Sequence, residues 1–128
     1  MQKVLIVEDH ADMRELLTWQ VESMGFLPIP AKHGKEGVAK AVSEKPQLIL
    51  MDIMMPGMDG WEAARALRAN PETREIPILA ATALFRDSDL TACMEAGCTS
   101  YIVKPFTFQE LQSKIREIIP SSNGAPPS

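Results

Sequence analysis

An apolar run, Leu48-Ile49-Leu50-Met51, stops on Asp52 and is followed at once by Ile53-Met54-Met55-Pro56-Gly57-Met58-Asp59-Gly60. Continuous rather than alternating apolarity marks a strand buried on both faces, as inside a parallel sheet. Pro56 and Gly57 end it in a rigid turn. An acid at the carboxyl end of such a strand stands where open α/β folds keep their ligand sites. The sequence therefore predicts that Asp52 is a carboxylate held on a stiff element and pointed at solvent. Taken alone, Asp52 also fits a helix cap or a solvated loop acid.

A second strand narrows the choice. Val4-Leu5-Ile6-Val7 is another short apolar run, and it ends in Glu8-Asp9. Two strands of one parallel sheet would deliver three carboxylates to one edge. Like charges held close together are unfavourable unless a cation or a proton relieves them. Hard oxygen ligands of this kind suit Mg2+ or Mn2+. His10 and His33 are read as isolated, so no His or Cys cluster offers a softer metal a site.

Two more strands complete the set. Ile76-Pro77-Ile78-Leu79-Ala80-Ala81 ends at Thr82, and Tyr101-Ile102-Val103 ends at Lys104-Pro105. Singly, Thr82 fits a helix cap and Lys104 a snorkelling surface lysine. Together with the acids they form a phosphoryl-transfer set. A metal and Lys104 neutralise phosphoryl oxygens, Thr82 donates a hydrogen bond, and one carboxylate is the nucleophile.

The remaining chain alternates strand and helix, as a doubly wound sheet requires. A first helix carries Met13, Leu16, Leu17, Val21 and Met24 at helical spacing and stops at Gly25. Leu27 to Ala31 reads as a strand. Its Pro28 and Pro30 cannot donate to a ladder, which assigns it to a sheet edge with both rings toward solvent. The second helix is predicted over about Lys35 to Ser43. The third starts near Asp59 and carries Trp61, Ala64 and Leu67, with Trp61 a partly buried packing residue. The fourth opens at Asp87 or Ser88 and ends before Gly97. The fifth opens on Thr107-Phe108-Gln109-Glu110, a capping-box pattern, and runs Leu111, Ile115, Ile118 and Ile119 along one face.

Length and charge fit one domain. The chain has 128 residues and a formal net charge of -4, with a pI near 5.2. That balance argues against a nucleic-acid surface. No stretch reaches membrane-spanning length and no signal-peptide order opens the chain, so a cytoplasmic location is expected. Cys93 and Cys98 match no zinc or thioredoxin-like spacing and are read as reduced thiols packed near a helix end. Residues 120–128 have no core-forming pattern and are expected to be a flexible tail behind a domain of residues 1–119.

In this order the motifs resemble those of a known family. Val4 to Asp9, Asp52-x-x-x-Pro56-Gly57-x-Asp59-Gly60, Thr82-Ala83, and Ala96-Gly97-x-x-x-Tyr101-x-x-Lys104-Pro105-Phe106 are similar to the receiver domain of two-component response regulators, from about Lys3 to Ile119. The resemblance implies a flavodoxin-like five-stranded parallel sheet of order 2-1-3-4-5 flanked by five helices. It implies that Asp52 accepts a phosphoryl group from a phosphohistidine. Glu8, Asp9, Asp52 and the Met54 backbone carbonyl would hold Mg2+, with Mn2+ as a substitute. Lys104 would bind the phosphoryl group, Thr82 and Tyr101 would be the switch pair, and the Lys104-Pro105 bond would be cis. Met54 and Leu84 stand at positions that influence phosphoryl lifetime; both are apolar, so slow decay is expected.

By the same resemblance the donor is a histidine kinase or a histidine phosphotransfer protein. A downstream protein target would bind the face of the fourth helix, fifth strand and fifth helix. A phosphorylation-dependent dimer is compatible with this reading, whereas direct binding of nucleic acid or membrane is not expected. The chain is not expected to be an enzyme beyond catalysing its own phosphorylation and dephosphorylation. A phosphate-independent interaction module with the same fold is the alternative, and it would tolerate loss of Lys104 or an acid; none is lost. A flavodoxin-like cofactor binder would need a phosphate-cradling loop where Glu8-Asp9-His10-Ala11-Asp12 stands. An aspartyl-phosphate hydrolase would need a second acid where Met54 stands.

Overall fold

The structure, a computed structural model, describes residues 1–55, 57, 59–83 and 86–119. Strands and helices alternate: β1 (Lys3–Val7), α1 (Ala11–Ser23), β2 (Leu27–Ala31), α2 (Gly34–Glu44), β3 (Leu48–Asp52), α3 (Gly60–Ala69), β4 (Ile78–Thr82), α4 (Asp87–Glu95), β5 (Ser100–Val103) and α5 (Phe108–Ile118). The five strands form one sheet of order β2-β1-β3-β4-β5, and every pairing is parallel. The expected flanking tail, residues 120–128, lies outside the described residues, as do Pro56 and Leu84.

The apolar runs form strands because each can bury both of its faces. Leu5, Val7, Ile49, Met51, Ile78 and Ala80 point into one buried cluster, which α2, α3 and α4 cover. Val4, Ile6, Leu48, Leu50, Leu79 and Ala81 point into the other, closed by α1 and α5. Each Leu or Ile buried this way contributes about 1.5–3 kcal/mol.

Strand β2 lies at the sheet edge. The Leu27 N–H donates to the Gln2 carbonyl at 2.8 Å, so residues two apart repeat that direction and the nitrogens of Pro28 and Pro30 face away from β1. Strand β4 starts two residues later than predicted. Pro77 has no N–H to offer the ladder, and the Ile76 carbonyl is taken by Arg68 Nη1 at 2.7 Å.

Helix ends follow their local chemistry. The Asp59 side chain accepts from the Glu62 N–H at 2.8 Å, and Thr107 and Glu110 form a reciprocal capping box. Helix α2 begins a residue early because His33 caps it, its Nδ1 accepting from the Glu36 N–H at 3.1 Å. The stripe predicted for α1 needs correction. Leu17 and Val21 are buried, whereas Leu16 is 45% exposed. It stands at the margin of the stripe and lines a hollow with Pro105 and Phe106.

Candidate functional site

Four strand ends meet at the carboxyl edge of the sheet. Glu8 follows β1, Asp52 ends β3, Thr82 ends β4 and Lys104 follows β5. Each is fixed by its own backbone. The Glu8 N–H donates to Ala31 O at 3.1 Å, the Ile53 N–H beside Asp52 to Ala81 O at 3.1 Å, and the Lys104 N–H to Thr82 O at 2.8 Å. The Lys104-Pro105 bond is cis. Helix α3 presses against the turn beyond Asp52. A Cβ on Gly60 would lie 2.6 Å from Ile53 Cα and 2.8 Å from Asp52 O, so only glycine fits there.

The carboxylates are deeper than the sequence predicts. Asp52 is 6% exposed and Glu8 only 1%; Asp52 is therefore not pointed at solvent but forms the floor of the edge. The physical reason is that Glu8 just beyond β1 and Lys104 just beyond β5 converge over it. Lys104 Nζ stands 3.3 Å from Glu8 Oε1 and 3.3 Å from Asp52 Oδ1. Asp52 Oδ1 also accepts from the Met54 N–H at 3.2 Å. Burial pushes the Asp52 carboxyl up to about 6, the neighbouring Glu8 carboxylate adds to the rise, and Lys104 opposes it.

Asp9 lies beside Glu8, and its Oδ1 is buried without a hydrogen-bond partner among the described residues. His10, read from sequence as isolated, also belongs to this corner. Its Nδ1 is 3.8 Å from both Glu8 Oε2 and Asp9 Oδ1, because three successive residues turn together after β1. Ligand atoms of Glu8, Asp9 and His10 lie within 4.8 Å of one another. Arg14 supports this turn from below, with Nη1 donating to Glu8 O at 2.9 Å. His33 does not join the site.

Thr82 is buried. Tyr101 stands one strand away in register with Ala80 and is partly buried against the core. Lys114 Nζ of α5 lies 5.7 Å from the centroid of its ring. Tyr101, Val103, Glu110, Ser113 and Lys114 line a groove of about 350 Å3 along β5 and α5. Met54, expected to flank the phosphoryl path, is 59% exposed. Among the described residues no helix is long and apolar enough to cross a membrane.

Comparison with known proteins identifies the family. The family profile "Response regulator receiver domain" matches residues 4–116. The alkaline phosphatase synthesis transcriptional regulatory protein PhoP of Bacillus subtilis is 35% identical over 127 residues, covering 99% of this chain and 52% of that protein. The probable transcriptional regulator ycf27 of Guillardia theta is 34% identical over 124 residues, 97% of this chain and 48% of its own length. The chain thus spans about half the length of the curated relatives it matches. Among solved structures, the chemotaxis protein CheY4 of Vibrio cholerae superposes with a TM-score of 0.89 at 28% identity, covering 93% of this chain and 99% of that one. The receiver domain of sensor histidine kinase PA1611 from Pseudomonas aeruginosa, with a magnesium ion coordinated in its active site cleft, gives 0.84 at 33% identity, covering 91% of this chain and 95% of that one. The chain belongs to the response regulator receiver domain family, the phosphorylation-controlled switch of two-component signalling.

Proposed function

We propose that Asp52 accepts the phosphoryl group, from a phosphohistidine on a histidine kinase or a histidine phosphotransfer protein. One observation carries this reading: Asp52 is a buried carboxylate on a rigid strand end with Lys104 Nζ 3.3 Å away. In-line attack by Asp52 on the phosphoryl phosphorus expels the histidine imidazole. Lys104 then holds a phosphoryl oxygen, and the Thr82 hydroxyl donates to another.

The donor set at this corner fits a hard divalent cation. Glu8 and Asp9 are adjacent carboxylates, the Asp9 Oδ1 is buried without a donor among the described residues, and Asp52 is raised by burial and then by the neighbouring Glu8 charge. Glu8, Asp9, Asp52 and the Met54 carbonyl are the proposed Mg2+ ligands, with Mn2+ as a substitute. Bound there, the cation supplies positive charge that keeps the acids ionised and offsets charge on the transferring oxygens.

Thr82 and Tyr101 are proposed as the switch. When Thr82 turns toward the phosphoryl group, Tyr101 fills the space it leaves, and the groove along β5 and α5 changes shape. Binding of a downstream protein through α4, β5 and α5 then follows as a population shift. A phosphorylation-dependent dimer is one form such a partner can take. The signalling unit of this reading is residues 1–119, and the compartment it requires is the cytoplasm. Catalysis is limited to the chain's own phosphorylation and dephosphorylation.

Borohydride trapping after phosphorylation, followed by peptide mapping, tests the acceptor. Reduction confined to the peptide carrying Asp52 supports the reading; reduction at Glu8 or Asp9 contradicts it.

A further inference from the structure

The end of α4 carries two thiols that the phosphoryl site does not use. Cys93 and Cys98 are both free and buried. Helix α4 is followed by Gly97 at φ +112, and the Cys98 N–H reaches back to the Cys93 carbonyl at 3.3 Å. That six-to-one bond around a left-handed glycine is a Schellman closure, whose first and last side chains frequently pack together. Both side chains lie in the same buried cluster.

The Cys98 thiol donates toward Cys93, holding the Cys93 thiol below its ordinary value and pushing that of Cys98 up. The Trp61 indole N–H is buried and has no hydrogen-bond partner among the described residues, and Trp61 packs against the buried cluster that holds both thiols. One thiol is thus prepared to attack and the other to resolve.

We propose that Cys93 and Cys98 are a reversible oxidation site, closing an intramolecular disulfide when the chain meets a hydroperoxide. The Cys93 thiolate attacks a peroxide oxygen and the O–O bond breaks. With hydrogen peroxide, the departing hydroxide takes up the Cys93 proton as water and leaves a sulfenic acid. The Cys98 sulfur then attacks the Cys93 sulfur, the S–S bond forms, the S–O bond breaks, and hydroxide leaves with the Cys98 proton as a second water. The two sulfurs lose two electrons and the peroxide gains them.

Access comes from local opening of α4. Cys93 is the one fully buried residue in this helix, and its N-cap, Arg86, makes no side-chain capping bond. Cys98 sits on firmer ground, since Thr99 beside it exchanges two bonds with Ile78, at 2.8 and 3.0 Å. The cross-link therefore ties the less anchored α4 to the start of β5.

The test uses the folded full chain without any phosphodonor. After millimolar hydrogen peroxide, residual thiols are alkylated under denaturing conditions and counted by intact mass. The expected result is loss of both alkylatable thiols, a mass lower by two hydrogens, a Cys93–Cys98 peptide on non-reducing digestion, and full recovery with dithiothreitol. Cys98→Ala, checked for folding by circular dichroism, should instead give a sulfenic acid on Cys93 that dimedone captures. Two thiols still alkylatable at a dose that fully oxidises free cysteine would overturn the proposal. So would disulfides only between chains, or reaction only after denaturation.

Discussion

Lys104 and Asp52 face each other across the carboxyl edge of the sheet, Nζ to Oδ1 at 3.3 Å, although they sit at the ends of strands separated by β4. The same ammonium stands 3.3 Å from Glu8. One cation therefore serves two buried acids, and when both are ionised one negative charge stays uncompensated. Much of the behaviour expected of this chain follows from that imbalance.

Removing Lys104 should be costly. In Lys104→Met, Glu8 and Asp52 lose their common cation while staying buried, and stability should fall by on the order of 2–3 kcal/mol at pH 7.5 in EDTA. At pH 5 the loss should be smaller, because Asp52 takes up a proton instead. Urea unfolding at the two pH values measures both; an equal loss at each would mean that Lys104 acts by packing alone.

Asp52 should give the metal-free fold a pH dependence. Its value rises from 3.8 to about 6 on folding, so the folded state binds the proton more tightly than the unfolded state. The resulting stabilisation is fully present below about pH 3.8 and is lost as pH rises through 6. Between pH 5 and pH 7 the wild type should lose stability in EDTA, and Asp52→Asn should lose distinctly less over the same interval. Parallel curves for the two proteins would contradict a raised Asp52.

Mg2+ should stabilise the unphosphorylated fold by mass action, by about 1.4 kcal/mol at ten times its dissociation constant. The increase in melting temperature should be much smaller in Asp9→Asn. In EDTA that variant should melt above the wild type, since it removes one of the clustered charges. A lower melting point in EDTA would argue against crowding among these acids.

Thr82 and Tyr101 should couple the site to α4 and α5. Thr82→Ala should still accept phosphate, yet the amide shifts of α4 and α5 should change little on phosphorylation. Lys114 over the Tyr101 ring holds one ring position by about 0.5–1 kcal/mol, so Lys114→Ala should move those shifts part of the way before phosphorylation. Full wild-type changes in Thr82→Ala would remove the coupling.

The site was largely legible in the sequence because a parallel sheet has to bury both faces of its inner strands. Continuous apolar runs ending in Glu8, Asp52 and Thr82 therefore mark where each strand stops and which edge it serves. Pro28 and Pro30 likewise mark the edge strand, since neither has an N–H to offer. What sequence could not supply was depth and sideways contact. Asp52 looked exposed because nothing local shows that Lys104 closes over it from another strand. His33 was missed as a cap because histidine is uncommon there. Arg68 bonds the carbonyls of Gly97, Arg74 and Ile76 at 2.7–2.8 Å; carbonyls carry no residue signature, so that staple has no pattern to find. The pairing of Cys93 with Cys98 depends on the turn at Gly97, which spacing alone does not reveal.

The most direct measurement is intact mass after treatment with acetyl phosphate and Mg2+, comparing wild type with Asp52→Asn. One phosphoryl group on the wild type, absent in EDTA and absent from the variant, is the expected result. Full labelling of Asp52→Asn would contradict the assignment of Asp52 as the acceptor.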